Sequence, residues 1–243
     1  MDVNIQKKNV WENKMDQFER FRLLIGDNFE KIGTKTVALF GLGGVGSYAA
    51  EVLVRSGIKN LIIIDNDIID ITNLNRQLMT NRKNIGKLKT DEVEERLRSI
   101  NPSINVVKIT EFITKENINL VFNHKIDYVI DAIDTIKTKK EIIRICNKNN
   151  IKLISCMGTG NKTNPEKLKI LDIRKTSYDP IAKIIRKQIR EEKLKGKIMV
   201  VCSDEKNYSA NSKIIPSTAY VPATAGILCA SYVINNIIGD ENV

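Results

Sequence analysis

Between a short apolar run, Val37 to Phe40, and a helical stretch opening at Ser47, the chain reads Gly41-Leu42-Gly43-Gly44-Val45-Gly46. Glycines at such a junction let bare backbone approach a phosphate and present amide groups at a helix N-terminus. An NAD site uses the same device. Asp65, ending the next apolar run Leu61-Ile62-Ile63-Ile64, stands where an acidic residue holds a ribose hydroxyl in either kind of site. Residues 65 to 77, DNDIIDITNLNRQ, tilt the choice. A dinucleotide has no use for an arginine so soon after the ribose acid, whereas the planar fork of Arg76 suits triphosphate oxygens. Asn73 can bond a phosphate or ribose oxygen, and Lys89 in GKLKTDEVEERL can add a second cation unless it is an ordinary solvated helix lysine. Asp131-Ala132-Ile133-Asp134 closes a further apolar run, and two carboxylates there can coordinate Mg²⁺ carried by a triphosphate. Asp134 is the metal candidate; Asp131 is expected to cap or orient the loop.

These residues fall at the ends of regularly placed elements. The pattern predicts a helix over 16–32 closed by Gly33, then strand, glycine turn, helix over 47–55 and a strand ending in Asp65. A charged helix over 89–99 ends before Asn101-Pro102, strands follow at 106–109 and 128–130, and a helix over 137–148 leads to a strand at 153–155. Strands apolar on both faces, alternating with helices, predict an α/β fold: a Rossmann-like, doubly wound, mostly parallel sheet whose strand ends meet in one crevice. After Gly160 a strand is expected near 168–173, an amphipathic helix near 180–194, a strand at 198–201 and a flexible hydrophilic loop over 203–213. The expected organisation is an N-terminal tail over 1–15, an ATP-binding core over 16–160, and a basic C-terminal α/β extension over 161–243 packed on the same domain.

With 243 residues, 42% of them hydrophobic, the chain can fill one large core. Its net charge of +10 favours an anionic partner such as nucleic acid or a membrane surface. Cys146, Cys156, Cys202 and Cys229 form no CxxC pair, so reduced buried thiols are expected, not a zinc site. Charged residues interrupt the N-terminus, which fits no export signal and predicts a cytoplasmic protein. Residues 214 to 239 carry no charged side chain, yet Pro216, Pro222, Asn235 and Asn236 favour a loop and a buried helix over a membrane span. His124, in Phe122-Asn123-His124-Lys125, is expected in a surface turn far from the strand ends, and Trp11 carries no readable role.

GLGGVG, NLNRQ, the lysine of GKLK and DAIDT, taken as a set over residues 18 to 160, resemble the MoeB/ThiF-like adenylating enzymes, bacterial relatives of ubiquitin-activating enzymes. SCMGTGNKTNP, DIRKTSYDPIAK and STAYVPATAG resemble that superfamily's tRNA threonylcarbamoyladenosine dehydratase branch and extend the likeness over nearly the whole chain. The resemblance implies Gly41, Gly43, Gly44 and Gly46 around the phosphates, Asp65 on the ribose, Asn73, Arg76 and Lys89 on the triphosphate, and Asp134 at Mg²⁺. It also implies a homodimer in which Arg20 reaches the partner's ATP site, with Arg22 an equal rival on spacing to Gly26. A monovalent cation near 158–161 and a sulfur-relay protein partner stay open.

The implied reaction activates the threonyl carboxylate of the modified adenosine, beside the tRNA anticodon, by AMP transfer; the carbamoyl group then closes a ring with net loss of water. Relatives that activate a ubiquitin-like protein commonly carry two CxxC zinc pairs, absent here, and Cys156 and Cys202 read as structural. Two competing functions remain: activation of a sulfur-carrier protein's C-terminus, which predicts carrier-stimulated pyrophosphate exchange, and an NAD-binding oxidoreductase or nucleotide sensor, which predicts retention of NAD in place of ATP. Residues 161 to 197 hold twelve Lys or Arg against five Asp or Glu, a net +7. Ile181, Ile184, Ile185 and Ile189 recur at helical spacing, leaving Lys183, Arg186, Lys187 and Arg190 largely on other faces as candidate tRNA phosphate contacts, or simply as a solvated face.

Overall fold

A computed structural model describes residues 16–206 and 214–239. The chain enters through two short helices, α1 (Glu19–Ile25) and α2 (Asn28–Gly33), where the sequence pattern predicted one. Gly26 makes the break: at φ 59° it leaves helical geometry while its amide still donates to Arg22 O, so the turn closes and the chain redirects.

From there strands and helices alternate. β1 (Thr36–Phe40), α3 (Gly46–Arg55), β2 (Asn60–Ile64), α4 (Lys89–Ile100) and β3 (Asn105–Ile109) form the first half. The short α5 (Asn119–Phe122), β4 (Tyr128–Asp131), α6 (Ile136–Lys148) and β5 (Lys152–Cys156) form the second. β6 (Leu168–Asp172), α7 (Pro180–Glu191), β7 (Met199–Ser203) and α8 (Tyr220–Ile238) follow. The seven strands make one sheet in the order β3-β2-β1-β4-β5-β7-β6, parallel throughout except for β6, which runs antiparallel to β7. This is the doubly wound, mostly parallel α/β architecture expected from the sequence. The winding reverses between β1 and β4, so the connections after those strands diverge and open a crevice at their C-terminal ends.

Alternate residues of each strand feed opposite cores. Val37, Leu39, Leu61, Ile63 and Ile130 pack with α3, α4 and α8, while Ala38, Phe40, Ile62, Ile64 and Val129 pack with Ile142 and Cys146 of α6. A further cluster joins Ile185 and Ile189 of α7 to Val200 and Cys202 of β7. All four cysteines are buried, as expected; burial raises the Cys202 thiol to about 12 and lifts Cys146 further. α8 is the one helix among the described residues long and apolar enough to cross a membrane, and 61% of that stretch is buried against the fold. Its Gly226 lies so close to α3 that an added Cβ would come within 2.2 Å of Val45 O. Of the loop predicted over 203–213, Ser203 belongs to β7 and residues 207–213 lie outside the described residues, as do the tail over 1–15 and Trp11.

Candidate active site

The crevice at the winding reversal has a volume of about 570 Å³. Its floor is the glycine turn. Gly41, at φ 87°, passes so close to the β4 loop that a Cβ would sit 2.9 Å from Ala132 O, so a side chain there would meet both strain and a clash. Gly43, Gly44 and Val45 line the crevice where α3 begins with no side-chain cap; Ser47 N–H turns back to Gly43 O at 3.0 Å, and the positive end of the helix lies at the crevice. Gly46 does not line it; packed against Gly41 O, it shapes the turn from behind.

Asp65 ends β2 at the crevice. Its Oδ2 accepts from Leu42 N–H at 2.7 Å and its Oδ1 from Asp67 N–H at 2.9 Å, which ties the acid to the glycine turn. Burial raises its pKa, opposed by the charge of Lys89. Lys89 is buried, not solvated: its ammonium donates to Asp67 Oδ2 at 2.6 Å and lies 4.0 Å from Asp65 Oδ1. Asp67 is the counter-charge that keeps this lysine in place, a role that its place in the sequence does not announce.

Asn73 belongs to a short 3₁₀ turn, where its Oδ1 accepts from Asp70 N–H in a capping box and its amide nitrogen is left for a ligand. One guanidinium nitrogen of Arg76 donates to Thr72 O and Asn75 Oδ1, which aims the rest of the fork into the crevice it lines. Gln77, also lining it, was overlooked although it closes the NLNRQ segment: its Oε1 is buried and has no hydrogen-bond partner. Asp134 lies across from these residues, exposed at the crevice wall.

Asp131 does more than orient a loop. It is fully buried and accepts from Lys139 Nζ at 2.8 Å and Ser155 Oγ at 2.6 Å, while Lys139 also donates to Ser155 Oγ and Cys156 O. This network pins the C-terminal ends of β4 and β5, from which the Asp134 loop and the 157–161 wall emerge. The sequence carries a signal for it: Lys139 occupies the apolar stripe of α6 with Ile142, Ile143 and Cys146. On that wall Asp179, also buried, accepts from Gly158 N–H at 3.0 Å and caps α7 through Ala182 N–H at 2.8 Å.

The structure thus gathers Gly41, Gly43, Gly44, Asp65, Asn73, Arg76, Lys89 and Asp134 in one crevice and leaves Arg20, Lys183, Arg186, Lys187 and Arg190 outside it. Arg22 is held within its own chain by Asp16 and Glu19 and lies over the Phe29 ring. Arg20 is exposed and has no such tie among the described residues. On α7, Lys183, Lys187 and Arg190 are exposed, but Arg186 turns back to donate to Thr176 and is half-buried. His124 is exposed near the N-terminal ends of β1 and β2, at the opposite edge of the sheet.

The ThiF family model matches residues 16–243. The chain belongs to the ThiF family. Among relatives of this ThiF-family chain, the tRNA threonylcarbamoyladenosine dehydratase of Bacillus subtilis (strain 168) is 40% identical over 247 residues, covering 94% of this chain and 97% of that protein. Crystal structures of Escherichia coli tRNA N6-threonylcarbamoyladenosine dehydratase in complex with AMP and with ATP match with TM-scores of 0.87 and 0.86, each 31% identical and covering 92% of this chain and 94% of that chain. The likeness to other ThiF-family proteins therefore runs through the C-terminal third as well as the crevice.

Proposed function

We propose that this chain is an ATP-dependent tRNA threonylcarbamoyladenosine dehydratase. The observation that carries the reading is the 40% identity to the Bacillus subtilis dehydratase over 94% of this chain. The crevice supports it chemically. A threonyl carboxylate is a poor electrophile, because its oxygen leaves reluctantly; attack of that oxygen on the α-phosphorus of ATP forms an acyl adenylate and releases pyrophosphate. The carbamoyl group then attacks the activated carbonyl, closes the ring and expels AMP, so the oxygen lost as water departs on AMP. Charge develops on the phosphates in the first step, where the free nitrogens of Arg76 and the positive end of α3 lie ready to offset it. Lys89, held by Asp67 and Asp65, sets a positive charge beside the ribose and phosphate positions.

The residues fit a triphosphate-bound Mg²⁺. Among the described residues no three acidic, histidine or cysteine side chains cluster to make a protein-only metal cage. Mg²⁺ bound with phosphates needs only one or two protein carboxylates and keeps waters. Asp134 would supply the carboxylate. Held there, the ion would supply positive charge to offset that of the phosphates. Direct ring closure needs no cysteine, and the raised Cys202 thiol would make a poor nucleophile. A tRNA substrate fits a cytoplasmic protein.

Nucleoside mass spectrometry of tRNA incubated with protein and ATP tests the reading: threonylcarbamoyladenosine should lose the mass of water. Arg76→Ala and Asp134→Ala should each abolish that shift while leaving the melting temperature near wild type. Asp65→Ala should mainly weaken ATP binding. An unchanged nucleoside with wild-type protein, or near-normal turnover by either of the first two variants, would refute the substrate or the site respectively.

A further inference from the structure

Among the described residues three aromatic side chains are exposed, Phe112, Tyr178 and Tyr220, in a chain only 5% aromatic. Phe112 lines the crevice, Tyr178 directly precedes its wall residues Asp179 and Pro180, and Tyr220 stands between its wall residues Ser217 and Pro222. Single exposed hydrophobics are ordinary, so what points to a ligand is how a ring is held.

Tyr178 is the most specifically held. Its φ of 58° lies in the left-handed region that a Cβ disfavours, and Asp179 N–H donates to Ser177 O at 2.7 Å across it, closing a tight turn. The turn sends neighbours to opposite sides: Asp179 goes inward at 2% exposure to hold Gly158, and Tyr178 goes outward at 60%. Arg186, donating to Thr176 O at 3.0 Å, anchors the approach to this turn. Lys206 places its ammonium 5.6 Å from the Tyr178 ring centroid. A rigidly presented ring beside a cation offers a stacking face and a phosphate contact together, the pairing that binds single-stranded nucleic acid.

We propose that Tyr178, with Lys206, is a stacking platform for an unpaired nucleobase of the tRNA loop whose modified adenosine enters the crevice. This rests on the tRNA reading above. Bases beside the anticodon are single-stranded, so one can be splayed onto a protein ring while its neighbour enters a pocket.

The test is anisotropy titration of a labelled anticodon stem-loop RNA carrying threonylcarbamoyladenosine with the full-length protein. Tyr178→Ala and Tyr178→Gly should each weaken binding about tenfold, the scale of one base–aromatic stack, whereas Tyr178→Phe should stay within about twofold. Glycine accepts the turn's backbone without strain, so the melting temperature of Tyr178→Gly should be no lower than wild type and separates ring loss from misfolding. Binding within twofold by Tyr178→Gly, or equal weakening by Tyr178→Phe, overturns the proposal even where the wild type converts the RNA. If the wild type neither binds nor converts it, the proposal falls together with the functional reading.

Discussion

Lys139 is fully buried, and its ammonium is held by Asp131, Ser155 and the Cys156 carbonyl. Removing one member leaves the other charged in an apolar interior, whereas removing both charges relieves the need for pairing. Lys139→Met should therefore lower stability by about 3–5 kcal/mol. Asp131→Asn combined with Lys139→Met should recover more than half of that loss in urea denaturation. A double variant no more stable than the single one would sink this account. At this scale the site was legible wherever a residue's type announces its ligand: glycines before a helix, an acid at a strand end, an arginine where phosphate lies. It was illegible where the partner is another side chain distant in sequence. Asp131 and Lys139 meet across a strand and a helix, and Lys89 meets Asp67 over a gap of 22 residues; the place of Lys139 in an apolar stripe signals its burial but not its partner.

Element by element, the 3.6-residue pattern located the helices and short continuous apolar runs located the strands, because a helix is buried on one side and these strands on both faces. The break at Gly26 was missed because one glycine in a helical pattern is often tolerated. The antiparallel course of β6 was also unreadable, since strand direction depends on how a connection packs and not on the strand's own residues. α7 shows a similar limit. Ile185 and Ile189 are buried as expected and Ile181 packs beside them, but Ile184 lies outside that cluster while Ala182 and Gln188 are buried. Spacing also cannot tell that the Arg186 guanidinium folds back onto Thr176 while Lys183 and Arg190 reach solvent. The proposed RNA-backbone contacts on α7 are accordingly Lys183, Lys187 and Arg190. Reversing these three to Glu, with Arg186 kept to hold the Thr176 turn, should weaken tRNA binding strongly at low salt and reduce the slope of log K against log salt by about 2. An unchanged slope would reduce this face of α7 to a solvated surface.

At the scale of the whole molecule, the crevice faces one way and α1 presents two large apolar side chains to solvent, Leu23 at 78% and Leu24 at 79% exposure. Arg20 shares that helix, is exposed, and is the freer of the two rival arginines, since Arg22 is committed to Asp16, Glu19 and Phe29. A helix with apolar residues and an exposed cation on its surface suits burial against a second copy, with the cation delivered to an anionic site there. A homodimer in which Arg20 completes the partner's triphosphate site follows as an expectation, and sedimentation should show one. Leu23→Glu with Leu24→Glu should shift it toward monomer and reduce activity in parallel. The sharper test is complementation. An Arg20→Ala chain keeps its own crevice but cannot serve its partner, and an Arg76→Ala chain has the reverse defect, so each homodimer should be inactive. Random exchange makes half of the dimers mixed, and each mixed dimer holds one site with both arginines, so an equal mixture should regain about a quarter of wild-type activity under two-fold symmetry. Full activity of Arg20→Ala alone would remove Arg20 from the site, and no rescue after demonstrated exchange would show that it does not act across the dimer.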